Sequence, residues 1–459
     1  MRRLLLSSFL AIPVAIAFAC SDFDPSSDPP ATPDATDATG DTNVVTDGAP
    51  SADAAAGLRV AWIREIEIDA GSVGASVAAR RSNAGAHLLF TGTGRFANVP
   101  TIGSDAVLAT YNENGGLVDA SAFGGEGTQY EVSFIEDGDG QTFVAWLNDL
   151  GGNQFGSTMM RVDNIASVGD SGPLVLPPPN DIKAIVPRPP GGWAYVGQKG
   201  TQAIIGQGKP PAPEARAFGD GGRPATFHTA ASVGNGTVAG GSTAGVLDLG
   251  CAAKVTPDGA AMPRVGFVTK FDLDGNCQWV DFYPSGGEGE VNAVASLPDG
   301  VIVGGHFKGT FNDTLTVSED GVFFARLDGV GKRKWIRAIR STGRTRVTGI
   351  AVDQARQRFV IVGIVNDRIE IDGHVLQAKG GGSAYVLVLD GNGSYVDSLA
   401  FGKTTVPNDY VAAWDVGVSS DGTIYVGGTA YGVSTLDLPG TRPAPPSSFS
   451  RSFLMRLDQ

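Results

Sequence analysis

One unit recurs along this chain: an apolar run that closes on glycine or another small residue, as in "LLFTG", "FVAW", "AYVG", "TVAGG", "VIVGG", "VIVG" and "IYVGG". With the closing pairs placed at Thr91, Ala145, Gly197, Gly240, Gly304, Gly363 and Gly427, the steps are 54, 52, 43, 64, 59 and 64 residues. A stretch of about four hundred residues with no internal linker is too long for one ordinary core, and repetition lets each unit bury its faces against its neighbours. Seven such units with strand chemistry predict an all-β fold, a seven-bladed β-propeller of four-stranded antiparallel blades.

Residues 291 to 341 show the strands of one unit. "VNAVAS" is a strand of small and β-branched residues, "LPDG" a turn and "VIVGGHF" a second strand. A variable loop leads to "FFARLD", and "GVG" turns into "KWIRAI". Asp opening the last turn and Gly three residues later suit a tight hairpin, one bonding nearby backbone and the other adopting positive φ. Units two and three fit least well. Unit two has "PLVLPPP" where its fourth strand belongs, and "AIIGQGKPP" is a poor third strand for unit three.

The chain ends at "FLMRLDQ", a third strand with no fourth. The missing strand lies at the other end: "WIREI" at Trp62 to Ile66 matches "WIRAI" at Trp335 to Ile339 in four of five positions. The 32 residues after Gly427 and the 33 from Leu58 to Thr91 together make one more step of the usual length. A strand over about 59–67 is therefore expected to pair with one over about 452–458, closing the ring without an exposed edge. Trp62 would then cover its own blade, as Trp279 and Trp335 would cover theirs.

"FVTKFDLDGNCQW", "FFARLDGVGKRKW", "VNAVASLPDGVIVGGHFKGT" and "DGTIYVGG" resemble the seven-bladed β-propeller repeats of bacterial secreted lipoproteins. The resemblance covers nearly all of residues 58–459 and is strongest after 226. It implies the fold and an envelope or surface protein. It carries no catalytic residues and implies no particular reaction.

The N-terminus agrees with that address. Arg2 and Arg3 precede an apolar run from Leu4 to about Ile16, shorter than the roughly 20 residues of a membrane-spanning helix, and then "AFAC". Residues 1–19 read as a signal peptide. The stretch resembles a lipobox in which Cys20 receives lipid, with Ala17 and Phe18 where Leu and a small residue are commonest. By family analogy, Ser21 favours the outer membrane. From Ser21 to Gly57 there are eight Asp and no Lys or Arg among Pro, Ser, Thr and Ala, so residues 20–57 read as a lipidated, disordered tether. Gly is 65 of 459 residues, about twice the usual ~7 %, as a turn-rich β protein requires. A net charge of −14 disfavours nucleic acid and anionic membrane as electrostatic partners. The lipid anchor is the expected link to a membrane, and the protein is expected to be a monomer.

Several short motifs reduce to turn and strand chemistry. "GDSGPLV" at Gly169 to Val175 is one Gly short of a chymotrypsin-like nucleophile signature, and the preceding His87 lacks the matching context. "EDGDG" at Glu136 to Gly140 and "DLDGN" at Asp272 to Asn276 have spaced carboxylates but no third Asp and distal Glu, so calcium is a secondary expectation there and no other cofactor is expected. His87, His228, His306 and His374 lie too far apart for a local zinc motif. "TGTG" at Thr91 to Gly94 has no following helix to receive phosphate. Cys251 and Cys277 both belong to unit four, and an oxidising compartment favours a disulfide over two free thiols. The bond would require the long "AAKVTPDGAAMPRVG" loop after Cys251 to fold back.

His228, Asn292 and Thr348 occupy similar first-strand registers in three units and are the candidate ligand-binding residues near the propeller axis. The resulting reading is an envelope-anchored, non-catalytic binding or structural scaffold whose loop face or channel mouth takes a protein or glycan. A hydrolase or lyase acting on extracellular polysaccharide would need acid and base groups gathered at the axis. A calcium-dependent adhesin is the third reading.

Overall fold

The computed structural model describes residues 57–67, 75–79, 85–96, 99–123, 129–136, 142–149, 155–162, 174–176, 180–187, 193–208, 215–220, 222–251, 264–311, 315–404, 406, 409–432, 434–438, 441 and 450–459. The predicted signal peptide, Cys20 and nearly all of the tether lie outside them. The described strands form seven antiparallel sheets whose strands follow one another in chain order, apart from the sheet that joins the two ends. The first strands pack on each other: Ala225–Val233 on Gly289–Leu297, that on Thr345–Asp353, that on Tyr410–Val418, and that on Ala75–Ala79. The fold is an all-β propeller of antiparallel blades with the first strand of each blade innermost.

The recurring glycine has a steric cause. In five sheets the first strand carries an extra residue, and that bulge faces the closing glycine of the second strand. A Cβ on Gly197, Gly241, Gly305, Gly363 or Gly428 would collide with the backbone carbonyl just before the bulge, that of Asp181, Thr226, Glu290, Arg346 or Ala412. The glycine common to these blades is thus the second of the pair, one residue after the position used above for Gly240, Gly304 and Gly427. The first of the pair touches the next blade: a Cβ on Gly240 would meet Val291, on Gly304 Val347 and Ile350, and on Gly427 Val77. In two blades this first position is Val196 or Val362, fully buried.

The hairpin between third and fourth strands is equally regular. Asp328 accepts the N–H of Val330 at 3.1 Å and of Lys332 at 2.9 Å, and Gly331 takes φ 82°. Asp272, Asp390 and Asn112 build the same turn. The tryptophans do more than cover their own blades. The indole N–H of Trp62 donates to the Glu113 carbonyl at 2.7 Å, that of Trp279 to Gly329 at 3.3 Å and that of Trp335 to Gly391 at 3.1 Å. Each acceptor lies in the corresponding turn of the following blade. Two residues on, and so on the same face, Arg64 and Arg337 grip the same turns through the carbonyls of Gly115 and Gly393.

Units three and five depart from expectation. "AIIGQG" forms a full strand, Gln202–Gly208, paired along its length with Trp193–Lys199 because alternate residues bury Ala203 and Ile205 against the next blade. The weak strand of unit three is its outermost one, Arg216–Phe218, of three residues, and in unit two the outermost strand, Leu174–Leu176, is equally short, as its Pro-rich sequence predicts. Unit five's sheet has six strands: a hairpin from unit six, Arg368–Ile371 and His374–Gln377, pairs with Ser341 and Thr342 at the end of Arg333–Thr342.

Arg59–Glu67 pairs antiparallel with Arg451–Asp458, which pairs in turn with Ile424–Tyr431. Arg451 and Glu65, 3 % and 5 % exposed, form an ion pair at 2.6 Å across this junction, and Trp62 packs against the cluster containing Leu454 and Tyr425. Deleting residues 453–459 is expected to lower the melting temperature far more than deleting 21–57, measured by circular dichroism. Arg451→Ala strands a buried carboxylate and is expected to cost about 3 to 5 kcal/mol in denaturant titration. Gly305→Ala, which drives a methyl into the Glu290 carbonyl, is expected to cost about 1 to 3 kcal/mol.

Candidate functional site

The bulges create the site. Each sets one residue out of the regular alternation: Lys183, His228, Asn292, Thr348 or Trp414. All five residues are partly exposed, although the Lys183 side chain itself is only 7 % exposed beside Asp181, whereas Ile182, Phe227, Val291, Val347 and Ala413 immediately before them are buried. An innermost strand is covered by its own sheet and by two neighbouring blades, so exposure in its middle opens toward the propeller axis. Small partly exposed residues follow the bulges along the same strands, including Ala231, Ser232, Ala295 and Ala351.

The three candidates from the sequence share this register and have separate partners. His228 bonds Ser242 through Nε2 at 2.9 Å, and Asn292 Oδ1 bonds Nδ1 of His306 at 2.8 Å. Thr348 Oγ1 lies 2.5 Å from the Ala413 carbonyl of the next blade and 3.2 Å from that of Val362 in its own. Lys183 and Trp414 were not singled out in the sequence, since a bulge is read only from pairing across strands. The Lys183 ammonium sits 3.1 Å from Asp181, and the Trp414 indole donates to Thr429 at 3.2 Å.

Buried Glu290 and His306 lie with the half-buried His228 between two adjacent blades. Glu290 pairs with Arg264 at 2.6 Å, faces His306 across the strands and accepts a long bond from Asn292 at 3.4 Å. Burial pushes the His228 imidazole down to about 4, outweighing the attraction of Glu290. His306 is lowered chiefly by burial as well. For Glu290 burial acts upward, but the positive fields of His228, His306 and Arg264 overcome it and hold the carboxyl below the usual range. At neutral pH the group therefore holds two neutral imidazoles and one carboxylate paired with Arg264.

Other residues read from the sequence lie elsewhere. His87 is buried against Thr110 at 2.8 Å, and His374 stacks on Tyr395 at the rim with ring centroids 3.9 Å apart. In "DLDGN" the Asp272 carboxylate is occupied by its own turn. Among the described residues no three His, Cys, Asp or Glu side chains are gathered as a metal site needs. "EDGDG" after Glu136 and "GDSGPLV" before Leu174 fall outside the described residues. Cys251 and Cys277 are joined by a disulfide with Cα atoms 5.3 Å apart. The chain already turns back before Cys251, and residues 252–263 of the loop expected to fold back lie outside the described residues. The strand Gly236–Thr243 ends beside Val265, far from Cys277, and residues 244–251 return with Leu247 and Leu249 buried against Phe271 and Cys277.

No family model matches the chain, and no curated protein does. Solved structures match at the level of the fold. A protein of unknown function from Dyadobacter fermentans is similar with TM-score 0.40 and 10 % identity over 88 % of this chain and 100 % of that one. A polysaccharide lyase described as an ulvan lyase gives TM-score 0.44 and 11 % identity over 80 % and 93 %. A protein of unknown function from Bacteroides caccae gives 0.32 and 12 % over 71 % and 80 %.

The buried imidazoles make stability depend on pH with a definite sign. Their folded pKa lies below the ordinary 6.5, so the unfolded chain binds more protons between the two values. Stability is then full above about pH 6.5 and falls as pH drops toward 4. The Glu290 contribution is present above its ordinary 4.5 and is lost only in stronger acid. Denaturant titrations from pH 7.5 to 4 are expected to show this decline. His228→Gln is expected to flatten it by up to roughly one proton.

Proposed function

We propose that this chain is an exported, lipid-anchored propeller of seven blades in one closed ring, akin to the repeat lipoproteins its sequence resembles, and that it is a non-catalytic module binding its ligand at the axis. The observation that carries the reading is the set of five bulges, which turn Lys183, His228, Asn292, Thr348 and Trp414 out of the strand alternation at one level of the ring. A ring of unlike side chains recognises an asymmetric ligand, since each blade supplies a different contact. Binding rather than catalysis is supported by the engagement of the ionisable groups: Glu290 with Arg264, His306 with Asn292 and His228 with Ser242. Acid–base turnover needs such groups open to substrate.

The seven sheets and the packing of first strand on first strand, continuing from Tyr410–Val418 to Ala75–Ala79, support the closed ring. "AFAC" and the acidic stretch after it support the anchor and the outer-membrane address.

Two measurements test the proposal. Wild-type protein is expected in the membrane fraction with lipid on Cys20, and Cys20→Ser in the soluble fraction. Wild-type protein recovered soluble with an unmodified Cys20 refutes the anchor. A screen of the detergent-solubilised chain against glycans and envelope extracts, with and without calcium, is expected to find a ligand whose binding is lost in His228→Ala/Asn292→Ala. Full retention in that variant refutes the axis as the site, and turnover of a polysaccharide refutes the non-catalytic role.

A further inference from the structure

The blade that joins the chain ends presents aromatic surface along its innermost strand. Trp414 occupies its bulge, partly exposed, with the indole N–H already given to Thr429 at 3.2 Å. The ring packs in part against the cluster holding Ile66, Val77 and Leu88, and what the indole offers a ligand is the part of its face left uncovered. At the start of the same strand Tyr410 pairs with Tyr431, the rings stacked with centroids 5.3 Å apart and planes 13° apart, both partly exposed. Tyr410 and Trp414 are four residues apart, about 13 Å along an extended strand. That span exceeds one sugar ring.

The charged groups at this level of the ring are already engaged. Lys183 lies 3.1 Å from Asp181 and Arg264 2.6 Å from Glu290, and Asp415 accepts the N–H of Val77 at 3.0 Å and of Val416 at 2.8 Å. Burial keeps both imidazoles neutral. An ionic ligand would have to displace an existing partner to find a counter-charge, at a desolvation cost. The groups suited to a ligand without such displacement are neutral: aromatic faces, the Asn292 amide and the Ser242 hydroxyl. Aromatic planes that cover C–H surface, beside neutral donors and acceptors for hydroxyl groups, are the chemistry of a neutral sugar.

We infer that the ligand at the axis is a neutral oligosaccharide, with Trp414 as the stacking residue that selects it. This rests on the binding function proposed above and names its ligand class. The test is calorimetric titration of the detergent-solubilised full chain with maltohexaose, cellohexaose and xylohexaose, and with an oligogalacturonate of equal length. At least one neutral hexasaccharide is expected to bind. Trp414→Ala should weaken it about tenfold or more, and Trp414→Phe, which keeps an aromatic face, by no more than about threefold. Trp335→Ala, at the rim, should lower the melting temperature and leave affinity unchanged. Unaltered affinity in Trp414→Ala overturns the inference, as does the absence of binding by every neutral probe. Tighter, salt-sensitive binding of oligogalacturonate that is still lost in His228→Ala/Asn292→Ala overturns the neutral class while the axis reading stands. Binding retained in that double variant and in Trp414→Ala overturns both.

Discussion

A backbone carbonyl occupying the space of an absent Cβ underlies the arrangement of this propeller. Opposite Gly197, Gly241, Gly305, Gly363 and Gly428, the first strand swings its carbonyl inward and gains a residue. The bulge bends the innermost strand and moves one side chain out of the alternation that buries its neighbours. A methyl at the glycine would close that space, so motif and bulge are two sides of one steric fact. Where the preceding residue is also glycine, as at 240, 304 and 427, the next blade's first strand can approach its backbone directly.

Blades are joined at both ends of their radius. Near the axis, Val291, Val347 and Val77 press on the preceding blade, while Thr348 and Asp415 bond across the seams. At the rim, Trp62, Trp279 and Trp335 donate to the following blade's turn, whose carbonyls are held by the Asx geometry of Asn112, Asp328 and Asp390. That contact also links the first and last parts of the chain. Trp62 and Arg64 bind the turn at Glu113 to Gly115 from a blade whose other three strands lie some 350 residues later. The Arg451–Glu65 pair, buried on both sides, adds an electrostatic link where unpaired partners would be costly.

The same packing gives the candidate site its chemistry. A first-strand residue next to a seam feels groups from two blades, which is why His228 responds to Glu290 and Lys183, residues 62 and 45 positions away. The imidazoles stay neutral because burial disfavours their charged form, and at neutral pH Glu290 stays charged because Arg264 pairs with it. Unlike residues at equivalent bulges then make an asymmetric ring from a repeated fold.

Sequence alone determined the features that depend on local chemistry repeated at regular intervals: β-strand units, Asp–Gly hairpin turns, the propeller architecture, and an N-terminal strand completing the C-terminal blade. It also brought out His228, Asn292 and Thr348 as equivalent positions, because equivalence follows from counting along a repeat. Tertiary structure decided whatever depends on two segments meeting. Lys183 and Trp414 join those three only through strand pairing, and Glu290, His306 and Arg264 converge only when neighbouring blades pack. The return of residues 244–251 to bring Cys251 to Cys277 and the docking of the 368–377 hairpin on the preceding blade were likewise beyond reach. Those segments interrupt the repeat, and with no period to follow, their course is set by the apolar surface left open beside them.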